Sequence, residues 1–326
     1  MSRNKIFVLV GPTASGKTAA SIGVAKRINA AVGRNAAEII SADSIQIYKS
    51  LDVGSAKPTP TEMCGITHHL LDFVDYRDTG FNVSMFRKAA SDVIHGIIAR
   101  EGVPMVVGGT GLYINSLVYP LNFSEAEPDP ERRAELTAIE KASPGILHSM
   151  LSEIDPVSAQ KLHTNDTKRL IRAIEVYEQT GKTLFELGGD FTNERGNKTE
   201  FEPVMAGLTL DRGLLYERIE RRIDMMLDAG LLDEVKGLLS NDPDRSLPAL
   251  QGLGYKQLIM YLDGKCSLDE AIYLIKRDTR RFAKRQISWF KRDKRIRWFD
   301  ASDHSQSELS DAIFDYFIDS EGKNDV

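Results

Sequence analysis

A chain of 326 residues makes room for about two domains at roughly 150 residues each, and 42% hydrophobic with 27% charged residues excludes a disordered chain. No apolar run approaches the ~18 residues of a membrane span, and two distant cysteines, Cys64 and Cys266, exclude a disulfide framework or a cysteine-based zinc site, so a cytoplasmic protein is expected. The net charge of −5, taken alone, argues against a nucleic-acid partner.

The first 110 residues read as alternating strands and helices. Ile6–Val10 is an apolar strand, too short for a signal-peptide core, and a helix from about Gly16 to Ala30 follows. Glu38–Ala42 is a second strand and His69–Val74 a third. Val83, Phe86, Ala90, Val93, Ile94 and Ile97 recur at helical spacing, and Val103–Val107 is a β-branched strand closed by Gly108-Gly109. Short apolar strands between helices predict an α/β fold, a parallel sheet flanked by helices. From about Leu121 the pattern changes. Asp129-Pro130, Ser143-Pro144 and Asp155-Pro156 each read as an N-cap before a proline. A further helix from Asp166 to Thr180 ends at Gly181. Strand character resumes at Val204–Leu210, with a helix from Leu214 to Ala229 after it. Residues 1–120 and 200–320 thus read as one discontinuous core, and 121–199 as a small all-helical insertion. Ser267-x-x-Glu270 is a capping box opening a long helix. Disorder is expected only in the last few residues.

Gly11-Pro12-Thr13-Ala14-Ser15-Gly16-Lys17-Thr18 matches the P-loop pattern G-x-x-x-x-G-K-[ST] after a strand and before a helix. Such a loop wraps a di- or triphosphate in backbone N–H groups at a helix N-terminus. Lys17 is placed to neutralise phosphate oxygens, and the Thr18 hydroxyl can ligand Mg²⁺. Asp43 follows the second strand, at the end of the sheet where ligands bind, and could take a proton, hold Mg²⁺ or cap a turn. The strand Val103–Val107 ends in Gly108-Gly109-Thr110-Gly111 with no acidic residue, which disfavours an ATPase or GTPase.

Between Lys276 and Arg297 eleven Lys/Arg stand against two Asp, so this window carries +9 and the remainder −14. That segregation suits a local polyanion contact or, more simply, a solvated helix face.

Together GPTASGKT, DSIQIYK (Asp43–Lys49), GSAKP (Gly54–Pro58), HHLLD (His68–Asp72), GGTGLY (Gly108–Tyr113) and AKRQISWF (Ala283–Phe290) closely resemble the tRNA dimethylallyltransferases, also called tRNA isopentenyltransferases. Ser55 stands where that family commonly has Thr, and Gln251 and Lys256 where it often has Arg. With no zinc-finger cysteines, the bacterial form is expected. The resemblance implies transfer of a dimethylallyl group from its diphosphate to the exocyclic amine of the adenine immediately 3′ of a tRNA anticodon. It implies Lys17, Asp43 and Thr110 as catalytic residues, with Asp43 the general base and Mg²⁺ on Thr18. The loop Gly11–Thr18, including Pro12, Thr13, Ala14, Ser15 and Gly16, would hold the diphosphate with Arg218 and Arg222. Contact with tRNA would fall to Asp43, Ser44, Ile45, Gln46 and Thr110. The insertion would add Arg133, Asp166, Thr167, Lys168, Arg169 and Leu170, and the basic helix Arg277, Arg281, Lys284, Arg285 and Gln286. The partners expected are the anticodon stem-loop and dimethylallyl diphosphate, with no membrane and a monomeric chain. A P-loop small-molecule kinase is the main rival, since it too needs the loop, Mg²⁺ and a strand-end Asp.

Overall fold

Strand β1 (Lys5–Val10) is buried at every position, as a strand covered by helices on both faces must be. It lies inside a six-stranded sheet of order β3-β2-β4-β1-β5-β6 in the computed structural model, which describes residues 4–121, 126–184, 186, 199–302 and 304–322. The other strands are β2 (Ala37–Ser41), β3 (His68–His69), β4 (Val103–Gly108), β5 (Glu202–Thr209) and β6 (Arg297–Asp300), and every neighbouring pair is parallel. The helices are α1 (Lys17–Val32), α2 (Pro60–Met63), α3 (Val83–Ala99), α4 (Gly111–Val118), α5 (Pro130–Ala142), α6 (Ile146–Ile154), α7 (Pro156–Lys161), α8 (Thr167–Thr180), α9 (Arg212–Asp228), α10 (Leu231–Leu239), α11 (Tyr255–Leu262), α12 (Leu268–Phe290) and α13 (Gln306–Gly322). No described helix is long and apolar enough to cross a membrane.

The chain forms two compact units, Met1–Val118 with Glu200–Val326, and Tyr119–Thr199. In the first, the parallel sheet and its helices agree with the α/β reading. Because the strands are parallel, the loops after β1, β2 and β4 emerge at one end of the sheet, the crevice end of an open parallel sheet. The second unit is helical. Leu136, Leu147, Leu151 and Leu170 are fully buried against each other, each worth about 1.5–3 kcal/mol of apolar burial.

Three expectations fail for local reasons, and one helix was not anticipated. The third strand shortens to His68–His69, because Leu70 (φ 60°) and Asp72 (φ 54°) take the left-handed conformation and break the ladder; Val74 keeps one bridge to Tyr48. Ser143-Pro144 does not open a helix. Ser143 instead ends α5, and α6 starts after Gly145, with the Glu140 carboxylate accepting the N–H groups of Gly145 (2.8 Å) and Leu147 (3.1 Å). The basic helix stops at Phe290, so Lys291 to Arg295 lie beyond it and Arg297 stands in β6, a strand hidden in the sequence by its charged neighbours. The C-terminal helix α13, also unanticipated, packs on the sheet through Phe317, stacked on Phe7 at 4.4 Å between ring centroids. The expected disorder of the last residues falls at 323–326, outside those described.

Candidate active site

The loop between β1 and α1 turns through Ala14 (φ 61°) and Gly16 (φ 89°), which brings the chain into the helix N-terminus at Lys17. The Lys17 ammonium donates to the carbonyls of Gly11 (3.0 Å) and Pro12 (2.7 Å), so it folds back over its own loop. Ser15 is buried within the loop, and its Oγ has no hydrogen-bond partner among the described residues. Residues 13–18 line a cavity of about 730 Å³ that is also lined by Asp43, Gln46, Arg218 and Arg222. Burial pushes the Lys17 ammonium down to about 7; the Arg222 cation acts in the same direction and Asp43 opposes both. Burial lowers Arg222 as well, against the pull of Asp43 and Glu62. Neither Arg218 nor Arg222 has an ion-pair partner within 4 Å among the described residues. Their neighbour Glu220 is taken by Arg280. Two positions four apart on α9 thus present cations to the cavity that holds the phosphate loop.

Asp43 sits just past β2. Its Oδ1 accepts the N–H groups of Ile45 (2.9 Å) and Gln46 (3.3 Å), so it does cap a turn, while Oδ2 carries no hydrogen bond among the described residues. One carboxylate oxygen orients the group and the other is available to the cavity. Thr110 joins the same turn, its Oγ1 accepting the Ser44 N–H at 3.0 Å. Gln46 is less free than expected. Its carbonyl oxygen accepts the Ser41 hydroxyl (3.1 Å), and its amide nitrogen donates to the carbonyls of Ser55 (3.3 Å) and Ala56 (3.2 Å). Ile45 packs towards Gly252.

Gln286 and Leu170 are corrected by burial. Gln286 points inward from α12, accepting the Thr13 N–H (2.8 Å) and donating to the Gly109 carbonyl (2.9 Å), so both polar ends of its amide are committed within the protein. One turn further, Trp289 packs so closely on Gly111 that a Cβ there would fall 2.2 Å from its Nε1. Leu170 is fully buried in the helical unit and cannot offer its side chain to RNA. In the same unit Arg133 makes two 2.8 Å hydrogen bonds to Glu175. Burial would raise that carboxyl, but Arg133, the Asp129 N–H and Arg172 bring it down to about 2. Asp166 pairs with Arg169 at 3.3 Å across the first turn of α8, beside half-buried Thr167, while Lys168 and Arg169 are exposed.

The basic run divides by ion pairing. Lys276 reaches Asp224 (2.6 Å), Arg280 pairs with Glu220, and Arg277 and Arg281 share Asp278 (2.9 and 3.7 Å). Lys284 and Arg285 are exposed, with no ion-pair partner among the described residues. The acids that quench Lys276 and Arg280 belong to α9, 52 and 60 residues earlier, and no spacing rule could have found them.

The sequence model of the IPP transferase family matches residues 46–293, most of the chain and both units. The chain belongs to the IPP transferase family. Members of that family named tRNA dimethylallyltransferase include one from Carboxydothermus hydrogenoformans, 49% identical over 95% of this chain and 96% of its own, and one from Alkaliphilus oremlandii, 45% identical over 97% of each. Among solved structures, the full-length tRNA isopentenylpyrophosphate transferase of Bacillus halodurans is 38% identical, with a TM-score of 0.73 over 98% of this chain and 97% of that one. A eukaryotic dimethylallyltransferase described as acting on tRNA is 29% identical, with a TM-score of 0.78 over 97% of this chain and 80% of its own. IPP transferase membership sets aside the small-molecule kinase reading. The family match begins at Gln46, so the roles of the phosphate loop and Asp43 rest on their own geometry.

Proposed function

We propose that this protein transfers a dimethylallyl group from dimethylallyl diphosphate to the exocyclic amine of the adenine immediately 3′ of the anticodon in certain tRNAs. The observation that carries this is the meeting of Lys17, Arg218, Arg222 and Asp43 in one cavity floored by the phosphate loop. An exocyclic adenine amine is a weak nucleophile, because its lone pair is delocalised into the ring. The carbon–oxygen bond of the donor must therefore weaken as the carbon–nitrogen bond forms. The electron pair leaves with the diphosphate, where Lys17, the two arginines and the loop N–H groups stabilise it. The orphan Ser15 hydroxyl gains a partner once a phosphate oxygen enters the loop. Asp43, oriented through Oδ1, takes the amine proton on Oδ2, a role worth about 10²–10⁴ in rate.

The residues fit Mg²⁺, which binds through one or two protein oxygens plus substrate phosphates: the Thr18 hydroxyl lines the same cavity and would hold it, adding charge neutralisation to the diphosphate. No ATP is consumed. The adenine must leave its stack to enter the cavity, and the exposed Lys284 and Arg285 on α12 are cations offered to the RNA backbone.

The test is incubation with dimethylallyl diphosphate, Mg²⁺ and unmodified tRNA, followed by nucleoside mass spectrometry. Dimethylallyladenosine with stoichiometric diphosphate is the expected result. Its absence across a full tRNA set would overturn the reading.

A further inference from the structure

Glu234 stands on α10 outside every motif of the sequence, yet its carboxylate gathers four donors. Oε2 accepts the N–H groups of Asp52 (2.8 Å) and Val53 (2.7 Å); Oε1 accepts the Gly54 N–H (3.0 Å) and the Tyr255 hydroxyl (2.7 Å). Three consecutive backbone N–H groups converging on one anion form a nest, the same device by which a phosphate loop holds its ligand. Tyr255 is fully buried and closes the arrangement from behind. A Cβ on Gly54 would fall 2.5 Å from its Cζ, so only glycine lets this backbone lie against the ring. The other end of the loop is pinned by Lys57, which pairs with Asp52 (2.6 Å) and Asp72 and donates to the Tyr48 carbonyl (3.0 Å). Between these anchors Val53, Ser55 and Ala56 line the cavity that holds Lys17 and Asp43.

We propose that Glu234, backed by Tyr255, is a positioning residue of the donor site: by holding the N–H groups of residues 52–54 from behind the cavity lining, it fixes the wall that Val53, Ser55 and Ala56 present. The inference rests on the donor reading of the cavity. A loose wall would leave the donor's diphosphate and prenyl chain unguided. Glu234 prevents this from outside the cavity lining.

The experiment compares wild type with Glu234→Gln and Tyr255→Phe. Gln keeps the length but turns an NH₂ group towards one of the N–H donors; Phe removes only the hydroxyl bond. Donor KM is read from prenyl transfer, tRNA Kd from filter binding, and the Kd of inorganic pyrophosphate from calorimetry. The expected result is a donor KM raised about tenfold in Glu234→Gln and about threefold in Tyr255→Phe, with kcat less affected and tRNA Kd within about twofold. The two changes should be non-additive in the double variant, because they share one carboxylate. A donor KM unchanged in both variants, or tRNA Kd rising in step with donor KM, overturns the proposal. If Glu234→Gln does not fold, Tyr255→Phe decides alone. Should wild type transfer no prenyl group, the donor reading fails; altered pyrophosphate affinity in the variants still decides whether the wall positions a diphosphate.

Discussion

Gln286 accepts the Thr13 N–H at 2.8 Å while its amide nitrogen donates to Gly109 at 2.9 Å, so one side chain of the basic helix bridges the phosphate loop and the turn leading to Thr110. The bridge withdraws one loop N–H from the phosphate nest and sets the distance between the two loops that flank β1 and β4. The helix whose outer face exposes Lys284 and Arg285 is therefore also an element that shapes the phosphate-loop cavity.

Replacing Gln286 by Leu leaves the buried Gly109 carbonyl unpaired, at a cost of about 1–3 kcal/mol, and releases the part-buried Thr13 N–H. Single-turnover transfer should fall by about tenfold or more, while tRNA affinity stays within about twofold of wild type. A loss of tRNA affinity with normal single-turnover rates would restore Gln286 as an RNA contact.

Asp43→Asn retains the cap, because the Asn oxygen can still accept the N–H groups of Ile45 and Gln46. Thermal stability should barely change, whereas turnover should fall by about 10²–10⁴. A Mg²⁺ titration of the variant separates the base from a metal ligand. Rescue of the rate by excess metal would defeat the general-base role.

Lys17 gives a pH signature. Its ammonium titrates at about 7 in the free protein, well below the ordinary 10.5, because burial and Arg222 outweigh Asp43. Between these values the unfolded chain holds a proton that the folded chain has lost, so this group makes stability rise with pH across that window. A bound diphosphate favours the charged form and reverses the shift. At pH 8, pyrophosphate binding should take up more protons in wild type than in Lys17→Met, measured by calorimetry in buffers of different ionisation enthalpy. Equal uptake in both proteins would remove Lys17 from the diphosphate site.

The ion pairs on α12 divide its cations into two experimental classes. Lys284→Ala and Arg285→Ala should each lower the log–log salt slope of tRNA binding by roughly 0.7–0.9. Lys276→Ala and Arg280→Ala, which break pairs with Asp224 and Glu220, should leave the slope unchanged and cost about 0–1 kcal/mol of stability as partly exposed pairs. A uniform slope change across all four would mean that the pairing does not hold in solution.

Much of the fold was legible in the sequence because its signals are local. The phosphate loop, the caps at Asp129, Asp155 and Ser267, and the buried run of β1 each depend on backbone chemistry within a few residues. Ser143 misled for the same reason: it had the right neighbour in proline, but Glu140 supplied the cap from the preceding helix. The third strand failed because two left-handed residues within an apolar run leave no mark on its periodicity.

Sequence alone determined that a phosphate loop opens a parallel α/β sheet, that Asp43 follows its second strand, and that a positive helix lies near the C-terminus. Only the tertiary structure decided which cations of that helix are already paired, that Gln286 faces inward, and that Glu234 and Tyr255 hold the 52–54 backbone from 180 and 201 residues away. These last relationships join polar groups across hundreds of residues, and one carboxylate or amide can satisfy a distant backbone N–H wherever packing brings it. Hydrogen-bond complementarity of that kind has no period and no fixed spacing along the chain; it exists only once the helices have closed on the sheet.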